Sequence, residues 1–211
     1  HSWRLYCLDR NTGDVAWSRC LHQGVPLIKR HTKATHANST PVTDGRRIVV
    51  SLGSEGLYCF DLNGKRIWKQ DLGLLDSGYY KVPAAQWGFG SSPILLGNRL
   101  ILNQDHDTDN YLIALDAHTG KEIWKVTRNN FTRSYATPII WKTRGQSQIL
   151  VPGSTRLTAY EAETGKRIWW VDGLARIVNT IPAVSGDMLY MASWSPGGEI
   201  EGDRIAMEPW K

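Results

Sequence analysis

A unit that joins an apolar strand, a turn and a tryptophan occurs four times in this chain of 211 residues. Its clearest copy starts with Tyr111-Leu112-Ile113-Ala114-Leu115, turns between Asp116 and Gly120, and closes at Trp124. The closing tryptophans lie about 50 residues apart, which is the spacing of stacked or radially repeated units. We therefore predict a repeat protein. The four closing residues are Trp17, Trp68, Trp124 and Trp169.

The strand of each unit is apolar at almost every position. Leu112 to Leu115 shows no alternation of apolar and polar residues, so both faces of this strand must be covered. A sheet held between two neighbouring sheets meets that requirement. The tryptophan has a large apolar surface that suits it to fill the seam between sheets. We therefore expect the indole rings to pack between successive repeats.

The turn of each unit carries an acid followed by a glycine. In Asp116-Ala117-His118-Thr119-Gly120 the acid can accept local backbone N–H groups, and glycine supplies the positive φ of a type I turn with a G1 bulge. The second copy is one residue shorter and contains Asn63-Gly64, which predicts a two-residue type I′ hairpin. The turn glycines are Gly13, Gly64, Gly120 and Gly165.

A second recurring mark precedes each unit, as in Ser39-Thr40-Pro41 and Ser91-Ser92-Pro93. Proline is tolerated at the first residue of a strand, where no ladder N–H is needed. Tight turns such as Asp44-Gly45 and Gly97-Asn98 then lead into a second apolar strand. Each period thus predicts four antiparallel strands, A to D, in a meander. Four-stranded blades repeated radially form a β-propeller, so the predicted fold class is all-β.

The pattern Ala-x-Asp-x-x-Thr-Gly-x-x-x-Trp, from Ala114 to Trp124, resembles the blade signature of the pyrroloquinoline-quinone-like (PQQ-like) propellers. That family includes quinoprotein alcohol dehydrogenases, the lipoprotein of the outer-membrane barrel-assembly machine, and uncharacterised secreted bacterial repeat proteins. The stretches Lys29 to Pro41 and Trp87 to Pro93 are most similar to the third group. The resemblance implies a periplasmic or secreted bacterial protein.

The repeats divide the chain into three whole blades and two partial ones. Residues 2–20 supply only strands C and D, and Asp203 to Glu208 again matches a strand C. A ring closed by joining these ends would not need strand C at both of them. We therefore interpret the chain as an arc of a propeller with about seven or eight blades, whose partners include the missing blades of the same polypeptide. The predicted bounds are 2–20 (partial), 39–70, 91–126, 136–171 and 180–210 (partial).

The charge and hydropathy patterns do not indicate nucleic acid or a membrane span. The net charge is +5, and acidic and basic residues are interleaved. The basic cluster Lys29-Arg30-His31-Thr32-Lys33 has no aromatic stacking platform or groove-reading helix beside it, so a solvated loop is favoured. No stretch approaches the ~20 consecutive apolar residues of a membrane span.

The three cysteines are predicted to be free thiols. Cys7 and Cys59 occupy the same position in adjacent sheets, and stacked sheets lie about 10 Å apart, beyond the ~7 Å limit for a bridged Cα pair. Cys20 lies past strand D and out of register with Cys7. We expect Cys7 and Cys59 to be small buried apolar side chains.

The long connections concentrate on one face, which carries the B–C and D–A connections and is called the loop-rich face. Binding residues concentrate on loops held by a rigid scaffold, so this face is the candidate binding surface. Two interpretations stay open: its aromatic, Arg and Asn side chains form a partner or ligand surface, or the loops pack on one another as a cap. The candidate surface residues are His31, His36, Tyr79, Tyr80, Trp87, Arg133, Tyr135, Arg176 and Trp194.

Metal binding has two weaker candidates. Asp105-His106-Asp107-Thr108-Asp109-Asn110 resembles the opening of a calcium loop, but Asn110 stands where an EF-hand needs glycine and the loop joins strands. A solvated hairpin loop in which Asp105 or Asp109 caps a turn is favoured. His31 and His36 could join His22 at a metal, although loop histidines are more often surface or hydrogen-bonding groups.

Two classes of function remain. In the first, the chain is part of a non-catalytic scaffold without a cofactor, which binds a protein, glycan or small ligand through the loop-rich face. In the second, it is part of a dehydrogenase that holds pyrroloquinoline quinone and calcium. The resemblance implies that such enzymes carry an adjacent cysteine pair, and some a Cys-x-x-Cys-His haem motif, and this chain has neither. We favour the non-enzymatic class.

Overall fold

The computed structural model describes residues 1–75, 87–106, 109–129, 132–143 and 145–193. Within these ranges the chain forms β-strands and one 3-10 turn, Gly53–Glu55, and no α-helix. The strands are β1 (Ser2–Leu8), β2 (Val15–Gln23), β3 (Val42–Thr43), β4 (Arg47–Ser51), β5 (Leu57–Asp61), β6 (Arg66–Gln70), β7 (Ile94–Leu96), β8 (Arg99–Gln104), β9 (Tyr111–Asp116), β10 (Glu122–Thr127), β11 (Ile139–Thr143), β12 (Gln146–Gly153), β13 (Arg156–Glu161), β14 (Arg167–Asp172), β15 (Ala183–Ser185) and β16 (Met188–Tyr190).

The strands pair into separate antiparallel sheets. Three sheets have four strands in chain order, namely β3–β6, β7–β10 and β11–β14, and we call them blades II, III and IV. The two-stranded sheets β1–β2 and β15–β16 are blades I and V. The predicted all-β fold of four-stranded meanders is confirmed. The further strand expected at 203–208 lies outside the described residues.

Strand C of blade III is covered on both faces, which explains its uninterrupted apolar sequence. Tyr111, Ile113 and Leu115 of β9 belong to the core between blades II and III. Leu112 and Ala114, which alternate with them, belong to the core between blades III and IV and have no exposed surface. One strand thus serves two blade interfaces, so neither of its faces can be polar.

Each closing tryptophan of blades I and II packs on the C–D turn of the next blade. The indole Nε1 of Trp17 donates to the Leu62 carbonyl at 3.1 Å, and that of Trp68 donates to the Ala117 carbonyl at 3.1 Å. A Cβ added to Gly120 would lie 2.9 Å from the Trp68 ring. The predicted placement of the rings between blades is confirmed, although all four rings are half-buried rather than fully buried.

The acid and the glycine in the C–D turn of blade III have the roles predicted from the sequence, although the loop has four residues rather than the three of a type I turn with a G1 bulge. The Asp116 carboxylate accepts hydrogen bonds from the His118 and Thr119 N–H groups and from the Thr119 hydroxyl. Burial acts to raise the pKa of Asp116, but the hydrogen bonds from Thr119, Asn98 and His118 outweigh it and hold that pKa below its usual value. Gly120 completes the turn with a φ of 73°. The acid is therefore a turn residue.

The prediction of a type I′ hairpin at Asn63-Gly64 is wrong. Only Gly64 has a positive φ, 76°, whereas a type I′ turn needs a positive φ at both central residues. The Asp61 N–H donates to the Lys65 carbonyl at 2.9 Å, so the loop between these two residues contains three residues and Gly64 is the last of them. Glycine has to stay at that place because a Cβ there would lie 3.1 Å from the Trp17 ring.

All three cysteines are free, as predicted, but they differ in exposure. Cys59 is completely buried in the core between blades II and III. Cys7 is only half-buried, which corrects the expectation that it is a core residue. Its neighbours Tyr6 and Leu8 are 54% and 56% exposed, because no sheet covers their side of blade I in the described part of the chain. Cys20 is exposed.

We expect Ellman's reagent to modify Cys20 first in the native protein and Cys59 only after unfolding. Burial raises the pKa of the Cys59 thiol to about 11, so at pH 8 almost none of it is the reactive thiolate. Stopped-flow absorbance in buffer and in guanidinium chloride would count the thiols in each phase. A Cys20→Ser variant should lose the fast phase, and rapid labelling of native Cys59 would contradict its buried position.

Candidate binding face

Hydroxyl groups tie the blades together where strand A begins. The Ser39 hydroxyl donates to the Ser91 carbonyl at 2.7 Å, and the Ser91 hydroxyl donates to the Ala136 carbonyl at 3.1 Å. One residue further, the Thr40 N–H donates to the Ser92 hydroxyl oxygen at 2.9 Å. Sequence analysis used only the proline of this motif and missed the hydroxyls. The hydroxyl residues at both positions before Pro41 and before Pro93 were the available signal.

The connection from blade I to blade II, residues 24–38, is fixed to its surroundings by side-chain hydrogen bonds. The Leu27 N–H donates to Glu55 Oε1 at 3.0 Å, and the Trp3 Nε1 donates to the His36 carbonyl at 3.0 Å. The Asn38 amide donates to the Phe89 carbonyl at 3.3 Å. These three contacts hold the connection against blades I and II and against residues 87–90, so it is a preorganised loop.

Exposed aromatic and apolar side chains lie on the chain segments that surround this part of the loop-rich face. The His31 and Trp87 rings stack with centroids 4.1 Å apart. Val25, Leu27 and Leu74 are 82%, 59% and 66% exposed, and Trp87 is 36% exposed. We call Val25, Leu27, Leu74 and Trp87 the apolar patch. A groove lies beside it and is lined by Ile28, Thr35, His36, Asn38, Ser39, Leu52, Gly53, Glu55 and Phe89, among others.

The turn Gly53–Glu55 brings the segments of the apolar patch together. Glu55 binds the Leu27 N–H, and the hydroxyl of Ser54 accepts the Leu75 N–H at 2.9 Å. Both side chains are buried, Ser54 at 3% and Glu55 at 4% exposure. Burial lowers the pKa of His36, which borders the same groove; the Glu55 charge opposes this shift, and the Arg30 charge adds to it.

Asp105 and Arg128 form a buried ion pair between blades III and IV. Arg128 Nε and Nη2 donate to the two Asp105 oxygens at 2.7 and 2.9 Å, and Nη1 donates to the Tyr160 hydroxyl at 2.5 Å. Neither charged side chain has exposed surface. Burial acts to lower the pKa of Arg128, but the Asp105 charge and Tyr160 raise it. The pair links the B–C loop of blade III to strand D and to blade IV.

This ion pair corrects the interpretation of the acidic loop as a solvated hairpin. Asp105 neither caps a solvated turn nor has a free oxygen pair for calcium, because Arg128 occupies both of its oxygens. Asp107 lies outside the described residues, and Asp109 is exposed. In the described ranges no group of three or more His, Cys, Asp or Glu side chains could hold a metal ion, and this includes His22, His31 and His36.

The connection from blade III to blade IV is a packed cap rather than a binding surface. Arg133 and Ser134 are 2% and 3% exposed, and the Ser134 hydroxyl donates to the Pro152 carbonyl at 3.2 Å. The Thr132 hydroxyl donates to Ser154 Oγ at 2.9 Å. Arg133 therefore does not contribute to the surface for which sequence analysis proposed it, because its loop folds inward.

The remaining candidates divide into two groups. His31, His36 and Trp87 come together beside the groove, as described above. Tyr135 and Arg176 are half-buried, and the Tyr135 side chain packs against Gly90 while its N–H donates to the Val178 carbonyl at 3.1 Å. Tyr79, Tyr80 and Trp194 lie outside the described residues. The loop-rich face thus combines both interpretations: an exposed surface over blades I and II, and a packed cap over blades III and IV.

Thr155, at the B–C turn of blade IV, is held in a strained conformation. Its φ of 63° is left-handed, which is unusual for a β-branched residue. Its N–H donates to the Ala175 carbonyl, and its carbonyl accepts the N–H groups of Gly173 and Leu174, so both backbone groups are fixed. These partners belong to the connection that follows β14, and this connection holds Thr155 in its left-handed conformation.

Replacing Thr155 by glycine is expected to raise the free energy of unfolding by about 1 kcal/mol. Relief of the left-handed strain should stabilise the folded protein by about 1–3 kcal/mol, and the greater freedom of glycine in the unfolded chain should destabilise it by about 0.5–1 kcal/mol. Urea titrations of Thr155→Gly and of the control Thr155→Ala, which keeps a Cβ, would measure the change in the free energy of unfolding. A glycine variant no more stable than the alanine variant would argue against the strain.

Comparison with known proteins identifies one family. The family model described as outer membrane protein assembly factor BamB matches residues 2–146 and 109–206. No curated protein matches the chain. The part of the chain that the structure describes has no helix of the length and hydropathy needed to cross a membrane.

Solved structures share the fold at low sequence identity. BamB from Moraxella catarrhalis has a TM-score of 0.61 at 18% identity, over 86% of this chain and 51% of that chain. A quinohemoprotein alcohol dehydrogenase from Pseudomonas putida HK5 gives 0.51 at 16%, over 79% and 31%. A protein of unknown function from Bacteroides caccae gives 0.51 at 13%, over 85% and 57%. The chain spans about half the length of the first of these structures.

Proposed function

Because the chain belongs to the family described as outer membrane protein assembly factor BamB, we propose that it is part of a non-catalytic propeller that binds another protein through its loop-rich face. The observation that carries the proposal is the apolar patch. Its four side chains are at least 36% exposed and come from three chain segments held over the Gly53–Glu55 turn. Exposed apolar clusters bordered by polar residues are typical of protein interaction sites.

A protein partner fits this surface better than a glycan or a small ligand. The groove beside the patch is lined by polar groups such as His36 and Asn38 as well as by apolar ones such as Phe89, but its volume is only about 10 Å³. A sugar or a small molecule would need a much larger enclosure. The family name supports a role near the outer membrane, and we propose a periplasmic or secreted location.

Two buried acids of the loop-rich face support a scaffold rather than a catalyst. Asp105 is neutralised by Arg128, and one Glu55 oxygen binds the Leu27 N–H. Calcium beside pyrroloquinoline quinone needs free oxygen ligands. Asp105 and Glu55 do not fit that requirement, and we derive no chemical step through the quinone.

Site-specific photo-crosslinking tests the proposed function. A benzophenone amino acid would be placed at Leu74 and Trp87 on the loop-rich face, and at His118 and Lys121 on the opposite face, in cells that make the protein. We expect protein adducts from the first pair and few from the second. Equal adducts from both faces would contradict the proposal. So would a purified protein that retains the quinone and calcium and reduces a dye when alcohol is added.

A further inference from the structure

We propose that the partner segment bound by the apolar patch is an acidic peptide with apolar side chains, held at its rim by Lys29, Arg30 and Lys33. This inference rests on the proposed function, because it names the chemistry of the partner for that same face. It commits to a polypeptide, and a lipid surface is treated as a competing outcome. The geometry of the patch, its charges and its rigidity each support it.

The apolar part of the site is assembled from three stretches of chain. Leu27 lies where its N–H binds Glu55, and Leu74 precedes the residue whose N–H binds Ser54. Ile28 contacts Gly88, since a Cβ there would lie 3.7 Å from Ile28 Cδ1, so Trp87 borders the same area. The exposed side chains therefore surround one turn of the fold. Two or more apolar residues of a peptide could pack on them together.

The exposed charges of the loop that carries Leu27 are all positive. Residues 22–38 contain Lys29, Arg30 and Lys33, all exposed, and no Asp or Glu. Glu55 is buried beneath Leu27 and does not face solvent. The exposed acid Asp71 follows β6, and its carboxylate accepts the Gly73 N–H. An acidic segment would meet a complementary rim, whereas a basic segment would be repelled by it.

The rim is also preorganised. Arg30 Nη1 donates to the carbonyls of His31, Thr32 and Ala34, so this guanidinium shapes the loop while keeping its charge at the surface. The His31 ring is fixed by stacking on Trp87. Lys29 and Lys33 are the residues left to meet a partner through their ammonium groups. A rigid surface loses little entropy on binding, which favours an extended peptide over a diffuse contact.

A peptide is favoured over an anionic membrane because the patch borders a groove. Membrane insertion needs apolar side chains that project from a convex surface. Here Ile28, His36 and Phe89 line a depression next to Leu27 and Trp87. The depression is too small for a side chain, with a volume of about 10 Å³, but its polar lining, which includes Thr35 and Asn38, offers hydrogen-bond partners that a peptide backbone can use and a lipid tail cannot.

Fluorescence anisotropy with defined probes tests the inference. The first probe is a short labelled peptide in which glutamate alternates with leucine. Two others replace all glutamates by lysine or all leucines by serine, and vesicles of phosphatidylglycerol with phosphatidylcholine are the membrane probe. The variants are Lys29→Glu/Lys33→Glu and Leu27→Ser. Their matched controls are Lys65→Glu/Lys166→Glu, which changes exposed lysines of the opposite face, and Ile67→Ser, which changes an exposed apolar residue of β6.

We expect only the glutamate–leucine peptide to bind well, and each test variant to weaken it at least about tenfold, which corresponds to about 1.4 kcal/mol. The controls should stay within about twofold, and added salt should weaken binding. Equal binding of the lysine peptide, no effect of the variants, or binding of the vesicles alone would overturn the inference. If protein adducts at Leu74 and Trp87 are found in any of those cases, the proposed function stands and only the inference of an acidic peptide fails. If the adducts are also absent, the proposed function and the inference both fail.

Discussion

Replacing Arg128 by alanine is expected to lower the free energy of unfolding by about 3–5 kcal/mol, the usual cost of removing one partner from a buried ion pair. The substitution leaves the Asp105 carboxylate buried with its main hydrogen-bond donors gone, and it also removes the donor to the Tyr160 hydroxyl. Guanidinium chloride denaturation followed by tryptophan fluorescence and by circular dichroism would measure the change.

Arg156 provides the matched control for Arg128. It also pairs with an aspartate, Asp172, at 2.5 Å, but these side chains are 33% and 59% exposed. Exposed pairs contribute about 0–1 kcal/mol, so Arg156→Ala should have little effect. The double substitution Arg128→Met with Asp105→Leu should cost less than Arg128→Ala alone, because no charge stays buried. Equal losses of unfolding free energy for Arg128→Ala and Arg156→Ala would mean that the buried pair stabilises the fold no more than the exposed pair does.

Replacing Gly165 by alanine is expected to cost about 2–5 kcal/mol, because two penalties add. The left-handed φ of 73° costs an L-residue about 1–2 kcal/mol, and forced overpacking costs about 1–3 kcal/mol more. The overpacking arises because the new Cβ would lie 2.6 Å from the Trp124 ring and 2.7 Å from a methyl of Val126. Gly13→Ala is the control, since Gly13 has a φ of 79° with nothing within 4 Å.

A double-mutant cycle separates the two penalties at Gly165. Trp124→Ala alone should cost about 3 kcal/mol, the low end for a large aromatic side chain, because the ring is half-buried. In that background Gly165→Ala should cost less than it does alone because the ring has gone, but more than Gly13→Ala because the Val126 methyl still lies 2.7 Å from the new Cβ. Urea titrations of all four proteins give the coupling energy. Additive costs would mean that the ring and the turn do not touch in solution.

The parts of this fold that follow from local periodicity were predictable. The repeated strand, turn and tryptophan depend on residues within one period, and the sequence carries them four times. The type I′ prediction at Asn63-Gly64 failed because it considered only those two residues. The Asp61 carboxylate accepts the N–H groups of Asn63 and Lys65, which stabilises a three-residue loop, and this acid was present in the sequence.

The candidate site was predictable only as a face. Loop length placed the long connections on one side, but burial within them could not be deduced. Asp105 and Arg128 are 23 residues apart, and neither has a sequence neighbour that indicates pairing. The patch over blades I and II likewise depends on Glu55 and Ser54, two short polar residues whose partners are backbone N–H groups of distant segments.

The one-way contact of Trp17, Trp68 and Trp124 with the turn of the following blade has a consequence for how such chains can lengthen. Blade II presents a tryptophan at one seam and receives one at the other, through Trp68 and through Gly64. A tandem duplication of the coding segment for this blade would create a new blade interface. The tryptophan of the first copy and the turn glycine of the second copy would already be present there. Ring size can then change by whole units in a single genetic event, without a compensating substitution elsewhere.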